Sequence, residues 1–477
     1  MQLLIPLSKG REPLFRQIYS RLRKGILEGT VLTGQKLPST RSLAEQLGVS
    51  RTAVLMAYEQ LLAEGFVTGR GGSGTFVSKA MATGNSEPVH GAPKVPLSRF
   101  GAAASRVARK IHLPSQAQHP RAYDFAFGIS DLESFPFHSW RRALQRCARQ
   151  TRVAQLDYGA AGGSAALRHA ICLHLRRSRA VACDPDQVIV VNGSQQALDL
   201  IARVFLEPGD KVVIEDPSYQ GTRELLRVAG VRLMAVPVDN DGLIPARLPG
   251  TARMVFVTPS HQFPTGTILS LARRFALLAW AKQASALVIE DDYDGEFYYH
   301  GQPIESLQGL DREGRVIYIG TFSRTIFSAL RIGYLVVPKP LVETLASAKW
   351  LCDRHTATLE QETLAEFISS GLYERYLRRV RRRNESRRAA LLDSIKRFIG
   401  DRAEVTGDGG GAHVVLWPRR RVVEEDVIRK ARARGILIYG IAPYYLNAPR
   451  RPGILLGYSR LKESEVREGI RRLSEVI

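Results

Sequence analysis

Residues 286–297 read ALVIEDDYDGEF, an apolar run that ends in a cluster of carboxylates. Such a run is typical of a strand that is buried on both faces of a parallel sheet. Four other runs share this character and are separated by longer amphipathic stretches: QVIVV (187–191), KVVIE (211–215), RMVFVT (253–258) and RVIYIG (315–320). The alternation predicts an α/β domain with a mostly parallel sheet flanked by helices. A smaller, mostly helical and then α/β part follows after about residue 345.

Composition and charge narrow the class of protein. A chain of 477 residues with 44% hydrophobic and 24% charged residues is too long for one core, so at least two domains are expected. The 68 Lys and Arg against 46 Asp and Glu give a net charge of +22. This excess indicates a polyanionic partner, with nucleic acid favoured over an anionic membrane surface. Collagen-like and disordered classes are excluded.

Compartment and metal binding are inferred from features that the sequence lacks. The N-terminus, MQLLIPLSKGREP, has neither the basic start nor the long apolar core of a signal peptide. No stretch approaches the roughly 18 apolar residues of a membrane span, so we expect a cytoplasmic protein with no membrane partner. The cysteines have no metal-ligand spacing, so we expect reduced thiols and no metal site. They are Cys147, Cys172, Cys183 and Cys352.

Residues 1–78 are predicted to form a winged helix-turn-helix. Apolar residues recur every four positions over 14–26, which predicts a first helix. The motif PSTR (38–41) begins a second helix, and Ser50 caps a third after a tight turn. The segment FVTGRGGSGTFVS (66–78) then alternates like a hairpin and would form the wing.

The PSTR start, the LGVSRTAV turn and helix, and the GSGTFV wing resemble, in this order, the GntR family. The resemblance implies a double-stranded DNA operator as partner, because the recognition helix of such proteins faces base edges. The DNA-binding positions that it implies are Ser39, Thr40, Arg41, Ser50, Arg51, Thr52, Arg70, Gly72 and Gly74. Leu55 and Met56 stand where many members carry arginines, so base readout would depend on fewer side chains. The alternative is that these charges are solvated on a generic helical domain.

Residues 79–120 are poor in aromatic residues and rich in Ala, Pro, Ser and basic residues, which predicts a flexible linker. Residues 121–477 then form the second domain. Five of its motifs follow predicted strands, at the edge where open α/β sheets place ligands. They are VVNGSQQALDL (190–200), EDPSYQG (215–221), TPSHQFPTG (258–266), IEDDYDGEF (289–297) and YIGTFSRTIFSALRIGYLVVP (318–338).

In this order and spacing the motifs resemble the fold-type I aminotransferases that use pyridoxal phosphate. Together with the GntR-like residues 1–78, hereafter the head, the whole chain resembles the MocR/GabR family of transcriptional regulators. This resemblance implies a homodimer and a small-molecule effector. The resemblance also implies cofactor-binding roles. The phosphate would be held by Ser194, Gln195, Thr321, Ser323 and Arg331. Tyr219 would cover the pyridine ring, Asp291 would bond its nitrogen, Tyr293 would lie near its phenolic oxygen, and His261 would line the pocket.

The chain departs from the family at the residue that would bond the cofactor. The family's imine-forming lysine lies in a GTFSK motif, whereas residues 320–324 read GTFSR. A guanidinium stays protonated and supplies no lone pair for a Schiff base, so we expect no catalytic residue here and non-covalent binding of pyridoxal phosphate. Arg324 would add a fixed positive charge beside an anionic ligand. In a second departure, Leu455 stands where a substrate-carboxylate arginine is usual, and Arg450 or Arg451 could reach in from the loop instead.

The Arg-rich segment 375–388 invites a nucleic-acid interpretation, but charge runs on long helices are more often solvated faces. Three hypotheses follow for the whole chain. The favoured one is a regulator whose second domain, residues 121–477 and hereafter the body, senses pyridoxal phosphate or a related ligand. The others are an aminotransferase-type enzyme with residual activity and an accessory head, and a regulator whose body is purely structural.

Overall fold

The computed structural model describes Leu7 and residues 12–79, 95–107, 123–150, 157–299, 305–447 and 450–477. The chain divides into two compact units, Met1–Pro96 and Leu97–Ile477. Among the described residues, no helix combines the length and the apolar character that crossing a membrane requires.

In its described residues, the first unit contains three helices and a hairpin, as the sequence predicts. Its elements are α1 (Leu14–Leu27), α2 (Thr40–Leu47), α3 (Arg51–Ala63), β1 (Val67–Arg70) and β2 (Gly74–Val77). The two strands are antiparallel. The core forms where the apolar faces of the helices meet, because each helix buries only one stripe of side chains. Its most buried members are Ile18, Leu22, Leu43, Val54 and Leu61.

Part of the predicted linker is helical. Helix α4 (Arg99–Val107) lies inside residues 79–120 and groups with the second unit. Phe100, Ala104 and Val107 line a groove within that unit. Composition favours an unstructured linker, but three apolar residues spaced by four and three positions give a short helix a face that tertiary packing can stabilise.

The second unit contains the remaining elements. Its strands are β3 (Tyr123–Asp124), β4 (Val188–Val191), β5 (Lys211–Asp216), β6 (Arg232–Asp239), β7 (Gly242–Leu243), β8 (Met254–Val257), β9 (Leu287–Asp292), β10 (Val316–Thr321), β11 (Gly333–Val336), β12 (Ala403–Thr406), β13 (His413–Pro418), β14 (Ile436–Leu437), β15 (Tyr439–Gly440) and β16 (Ile454–Gly457). Its helices after α4 are α5 (Phe137–Gln150), α6 (Ala165–Ser178), α7 (Ser194–Phe205), α8 (Gln220–Val228), α9 (Leu271–Gln283), α10 (Leu307–Leu310), α11 (Val342–Asp353), α12 (Thr358–Ser369), α13 (Leu372–Phe398), α14 (Glu424–Ala433) and α15 (Glu463–Leu473).

An eight-stranded sheet organises this unit, in the order β4-β11-β10-β9-β8-β5-β6-β7. All of its pairings are parallel except those of β11 and β7. Each of the five apolar runs that the sequence singles out is a strand of this sheet. Because β9 and β10 are parallel, with Asp291 opposite Ile319, the motifs that follow them lie side by side. The carboxyl edge of the parallel strands therefore carries the candidate site.

The smaller α/β part lies at the C-terminal end of the chain. It contains a four-stranded sheet in the order β12-β13-β16-β15, and β14 pairs with β3 from the start of the unit. The 27-residue helix α13 packs against α15, and its apolar residues Leu391 and Ile395 join the core of this part.

Candidate functional site

The turn between β4 and α7 and the side chain of Arg331 form one end of the site. Gly193 has φ +83°, and α7 begins directly after it, so the first-turn N–H groups of Ser194 and Gln195 have no partner within the helix. The Arg331 guanidinium donates to the carbonyl of Asn192 (3.0 Å). A Cβ at Gly193 would stand 2.7 Å from Arg331 Nη2. Glycine therefore allows an arginine and a helix N-terminus to meet, which suits a phosphate.

An ion pair between a buried lysine and a partly exposed aspartate supports this turn, and sequence reasoning missed it. Lys349 is fully buried, and its Nζ donates to both oxygens of Asp353 (2.7 and 3.0 Å). Asp353 also accepts from the side-chain amides of Asn192 (2.6 Å) and Gln196 (2.7 Å). Since Asn192 bonds Arg331 in turn, the network connects α11 to the phosphate-type turn. Only the i,i+4 spacing of the lysine and aspartate in α11 is visible in the sequence.

Asp291 lies at the carboxyl end of β9 and faces the middle of the site. Its Oδ1 is buried and has no hydrogen-bond partner in the structure. Burial and the neighbouring Asp292 carboxylate raise its pKa to about 7, although Arg324 opposes the shift. A buried acceptor without a partner is costly, so this atom is suited to a donor that comes from a ligand.

Tyr219 and Gln195 approach each other next to Gly221. A Cβ at Gly221 would stand 2.7 Å from Tyr219 Cζ and 2.8 Å from Gln195 Oε1. The Tyr219 ring meets Phe263 edge to face, with centroids 5.9 Å apart. Burial raises the pKa of Tyr219, so its phenol is neutral near neutral pH. The structure therefore brings an aromatic face to the phosphate-type turn.

His261 and Tyr293 lie in contact beside Asp294. His261 Nδ1 is 2.9 Å from the Tyr293 oxygen and 3.0 Å from Asp294 Oδ2. Burial by itself would lower the pKa of His261, but the Asp294 carboxylate outweighs it and the net shift is upward. Burial and the nearby His261 lower the pKa of His413 to about 3. His413 is therefore neutral, with Nε2 hydrogen-bonded to the Pro264 carbonyl (3.0 Å).

His261, Asp294 and His413 also form a set of metal-ligand residue types that sequence spacing does not reveal. One ligand atom of each lies within 4.8 Å of those of the others, and all three are buried. The carboxylate of Asp294 already pairs with His261. This ion pair by itself explains why the two buried charges are tolerated.

Thr321 and Ser323 follow β10, next to the end of β9. The Thr321 hydroxyl accepts from the N–H of Ser323 (3.1 Å). Ser130 donates to the carbonyls of Ser323 (3.0 Å) and Arg324 (2.9 Å), which fixes the GTFSR segment against the loop that contains Gly128. The two hydroxyl-bearing residues thus lie on the same edge as Asp291.

Arg324 projects from this segment into the site. A Cβ at Gly128 would stand 2.7 Å from Arg324 Cζ, so the guanidinium lies against the glycine backbone. Within the described part of the chain, no hydrogen bond or ion pair to this guanidinium is present. It is close enough to oppose the upward pKa shifts of Tyr219, Asp291 and Tyr293. The site therefore contains an unpaired, half-buried positive charge.

The substrate-carboxylate position contains no arginine. Leu455 is fully buried in β16, between Val415 of β13 and Tyr439 of β15. Arg451 binds Glu404 (2.6 Å) and stacks over Trp417 at 4.5 Å from the ring centre, so its side chain is engaged elsewhere. Arg450 is exposed, and Arg324 and Arg331 are the cations described above at the site.

Several arginines of α13 turn inward. Arg387 is buried and pairs with Asp131 (3.0 Å), and Arg388 stacks over Tyr299 (5.4 Å). Arg381 donates to the Glu296 carbonyl (2.6 Å). The interpretation of this helix as a solvated face holds only for its outer arginines, because three of the eight arginines in the segment 375–388 pack against the body.

The expected DNA-contacting residues occupy three exposed features of the first unit. The Ser39 and Ser50 hydroxyls cap α2 and α3, where they accept from the N–H groups of Ser42 (3.1 Å) and Ala53 (3.3 Å). Thr40 and Arg41 begin α2, and Arg51 and Thr52 begin α3. In the wing, Arg70 stacks over Phe76 (5.0 Å), and the turn contains Gly72 and Gly74 at φ +73° and +111°. The serine hydroxyls are occupied as caps, so the exposed arginines are the better candidates for contact.

Both units match described families. Residues 14–77 match the model "Bacterial regulatory proteins, gntR family", and residues 124–473 match "Aminotransferase class I and II". The chain is 36% identical to the "Probable rhizopine catabolism regulatory protein MocR" of Rhizobium meliloti, over 97% of this chain and 93% of that protein. It is 31% identical to the "HTH-type pyridoxine biosynthesis transcriptional regulator PdxR" of Corynebacterium glutamicum, over 97% and 95% of the two chains.

Among solved structures, the body is similar to LysN, the alpha-aminoadipate aminotransferase of Thermus thermophilus, in complex with N-(5'-phosphopyridoxyl)-L-leucine. The TM-score is 0.69 and the identity 29%, over 79% of this chain and 96% of that chain. This likeness covers 79% of the chain, whereas the regulators match 97% of it. The chain therefore belongs to the MocR/GabR family of DNA-binding transcriptional regulators, with a GntR-type helix-turn-helix head and an aminotransferase-like body of fold type I.

Proposed function

We propose that the body of this regulator senses pyridoxal phosphate, or a closely related phosphorylated pyridine, and binds it without a covalent bond. The observation that carries the proposal is the combination of Asp291 and Arg324 in one site. The buried Asp291 Oδ1 has no partner and suits a protonated pyridine nitrogen. Arg324 occupies the imine-lysine position and cannot form an imine.

The other residues at the sheet edge fit the same ligand. The N-terminus of α7 at Ser194 and Gln195, together with Arg331, suits a phosphate. Tyr219 offers a ring face for stacking. The remaining members of the proposed cofactor site are Thr321, Ser323, Tyr293 and His261. The name of the PdxR relative, which refers to pyridoxine biosynthesis, adds support for a ligand of this class.

We expect this protein not to catalyse efficient transamination. When bound in an aminotransferase, pyridoxal phosphate supplies an aldehyde and an electron sink, and a lysine amine carries the proton between substrate atoms. The Arg324 guanidinium holds its proton and supplies no lone pair. The chain therefore binds its ligand as a signal and does not turn it over.

The regulator is proposed to act as a homodimer. Two heads per dimer would bind two DNA half-sites, and ligand occupancy would shift the population of the dimer towards one arrangement of the heads. Sedimentation of the full-length protein with and without operator DNA measures this state. A monomer on DNA would contradict it.

Titration of the full-length protein with pyridoxal phosphate tests the ligand. We expect a saturable rise in Tm and calorimetric binding, both lost in Asp291→Asn and Arg331→Gln. Arg382→Gln removes an exposed arginine of α13 and serves as the matched control. Borohydride treatment should leave no adduct on any lysine, and an adduct would contradict non-covalent binding. A protein that shows neither a Tm shift nor heat would instead have a purely structural body.

A further inference from the structure

We infer that Leu55 and Met56 of helix α3 read thymine in the major groove of the operator, by packing against the C5-methyl group of that base. The inference concerns the DNA-binding head and does not depend on the ligand proposed for the body. It assigns base specificity to two apolar side chains that stand where many GntR members carry arginines.

Leu55 and Met56 lie on the outer face of α3, outside the core of the head. The buried side chains of this helix are Val54, Ala57, Tyr58 and Leu61. The Tyr58 hydroxyl also donates to the Pro38 carbonyl (2.9 Å), which helps to fix the rotation of the helix. Leu55 and Met56 are 43% and 44% exposed, and neither is a member of the core. Packing within the head therefore does not explain why these two positions are apolar.

The two side chains continue the surface that begins with the expected DNA-contacting residues Arg51 and Thr52. Both of these residues are exposed, and they are the first two residues of α3. Positions four apart in a helix lie on the same face, one turn of about 5.4 Å from each other. Leu55 therefore follows Arg51, and Met56 follows Thr52, along the face that a recognition helix presents to base edges.

The charges on α3 favour its first two turns as the part that meets DNA. Arg51 places a positive charge at the start of the helix, and Arg41 does the same at the start of α2. Glu59 is exposed one turn beyond Leu55, and Glu64 follows the end of the helix, where it accepts from the Tyr19 hydroxyl. DNA phosphates repel carboxylates. Leu55 and Met56 are thus on the DNA-facing side of this charge boundary.

Thymine is the base whose major-groove edge matches an apolar side chain. The code of donors and acceptors in this groove includes one apolar group, the C5-methyl group of thymine. Leucine has no hydrogen-bonding atom and methionine offers only a weak acceptor, so neither can read a base through a strong hydrogen bond. Burying one methyl group against them changes affinity about fourfold. The pair therefore favours thymine, whereas arginine at the same positions would favour guanine.

Binding of the full-length protein to duplexes that differ by a single methyl group tests the inference. A binding site is first selected from duplexes with a random central segment, in parallel with and without pyridoxal phosphate, so that the result does not depend on the proposed ligand. Each thymine of the selected site is then replaced in turn by uracil, which pairs in the same way and lacks only the C5-methyl group. We expect about a fourfold loss of affinity at one or two thymines of each half-site, measured by fluorescence anisotropy. At the same positions, 5-methylcytosine should bind more tightly than cytosine.

Two variants connect the preference for thymine to the two side chains. Leu55→Ala should reduce the difference between thymine and uracil to about twofold or less at one position, and Met56→Ala should do so at another, because most of the apolar contact is removed. Alanine has the highest helix propensity, so α3 should remain folded in both variants. Leu62→Ala is the matched control, since Leu62 is 50% exposed on the same helix but lies beyond Glu59. This variant should keep the full preference.

Three results would overturn the inference. If uracil at every thymine position leaves the affinity unchanged, the head reads no methyl group. If Leu55→Ala and Met56→Ala weaken binding to the thymine and uracil duplexes equally, the two side chains act through a contact other than the methyl group. A loss of the preference in Leu62→Ala as well would assign the effect to the helix as a whole. None of these results bears on the ligand proposed for the body.

Discussion

The backbone of Gly128 lies directly against the guanidinium of Arg324: a side-chain carbon at Gly128 would stand 2.7 Å from Arg324 Cζ. Gly128 has φ +70°, a conformation that glycine adopts without strain. The loop and the GTFSR segment are also joined by Ser130, which donates to the Arg324 carbonyl (2.9 Å). The loop therefore positions the guanidinium that distinguishes this site from an aminotransferase site.

Gly128→Ala should displace Arg324 and strain the loop. We expect the free energy of unfolding to fall by about 1–2 kcal/mol, because the left-handed conformation is unfavourable for alanine. Affinity for pyridoxal phosphate should fall as well, because Arg324 lies in the proposed ligand site. Urea denaturation and calorimetry measure the two effects. Gly162→Ala is the matched control, since a Cβ there meets no atom within 4 Å, and an equal loss in that variant would contradict the prediction.

Arg324→Lys should restore an imine with pyridoxal phosphate if the rest of the pocket is intact. Lysine supplies the amine that arginine lacks. The expected result is an imine absorbance that borohydride converts to a stable adduct on the new lysine, located by peptide mass spectrometry. The wild-type protein treated in parallel is the control. A variant that binds pyridoxal phosphate without an adduct would show that this position does not face the C4′ atom.

Asp291 should make the stability of the ligand-free protein depend on pH. Its pKa is raised from the ordinary carboxyl value to about 7, mainly by burial, so the folded state holds the proton more tightly than the unfolded state. The stabilising contribution is therefore full below about pH 4 and is lost as the pH rises through about 7. Asp291→Asn should become more stable relative to wild type between these limits, by up to about 4 kcal/mol for a pKa about three units above the ordinary value. Urea denaturation of both proteins at the two limits measures the difference, and a constant difference would contradict the prediction.

Lys349→Met should destabilise the turn that precedes α7. The substitution leaves the Asp353 carboxylate without its cation, at a cost of about 3 kcal/mol in the free energy of unfolding. Because Asp353 also binds Asn192, phosphate affinity should fall too. Adding Asp353→Leu should recover part of the stability but not the affinity. If the double variant recovers both, the network does not position the turn.

Arg51→Ala tests how the head reads DNA. If Arg51 contacts a base edge, specific operator binding should weaken by about 1–3 kcal/mol while binding to random DNA changes little. Fluorescence anisotropy with both DNAs at one salt concentration measures this. An equal loss on both DNAs would assign Arg51 to a phosphate.

Local patterns in the sequence predicted much of the fold. Apolar runs such as 187–191 became strands because buried parallel strands need apolar side chains on both faces. Ser39 and Ser50 were identifiable as helix caps because a cap depends on residues only three positions away. The replacement of the imine lysine by Arg324 was equally visible, since it is a matter of residue identity.

Contacts between distant segments could not be predicted in this way. Asp353 and Asn192 are 161 positions apart, and Arg387 and Asp131 are 256 positions apart. No periodicity or composition relates residues at such separations, so the ion-pair network and the inward arginines had to come from the structure. The helix in the predicted linker was missed because its packing partner also lies far along the chain.

The inward arginines of α13 change the meaning of a net charge of +22. A guanidinium that binds a carbonyl inside the body, as Arg381 does, displaces no counterion when DNA arrives. The arginines therefore fall into two groups: some form contacts inside the body, and others are exposed and available to phosphate. The isoelectric point depends on both groups, whereas the salt dependence of DNA binding depends only on the second. The salt slope of operator binding therefore counts the second group, and an estimate from the whole-chain charge would overstate the electrostatic footprint of the protein.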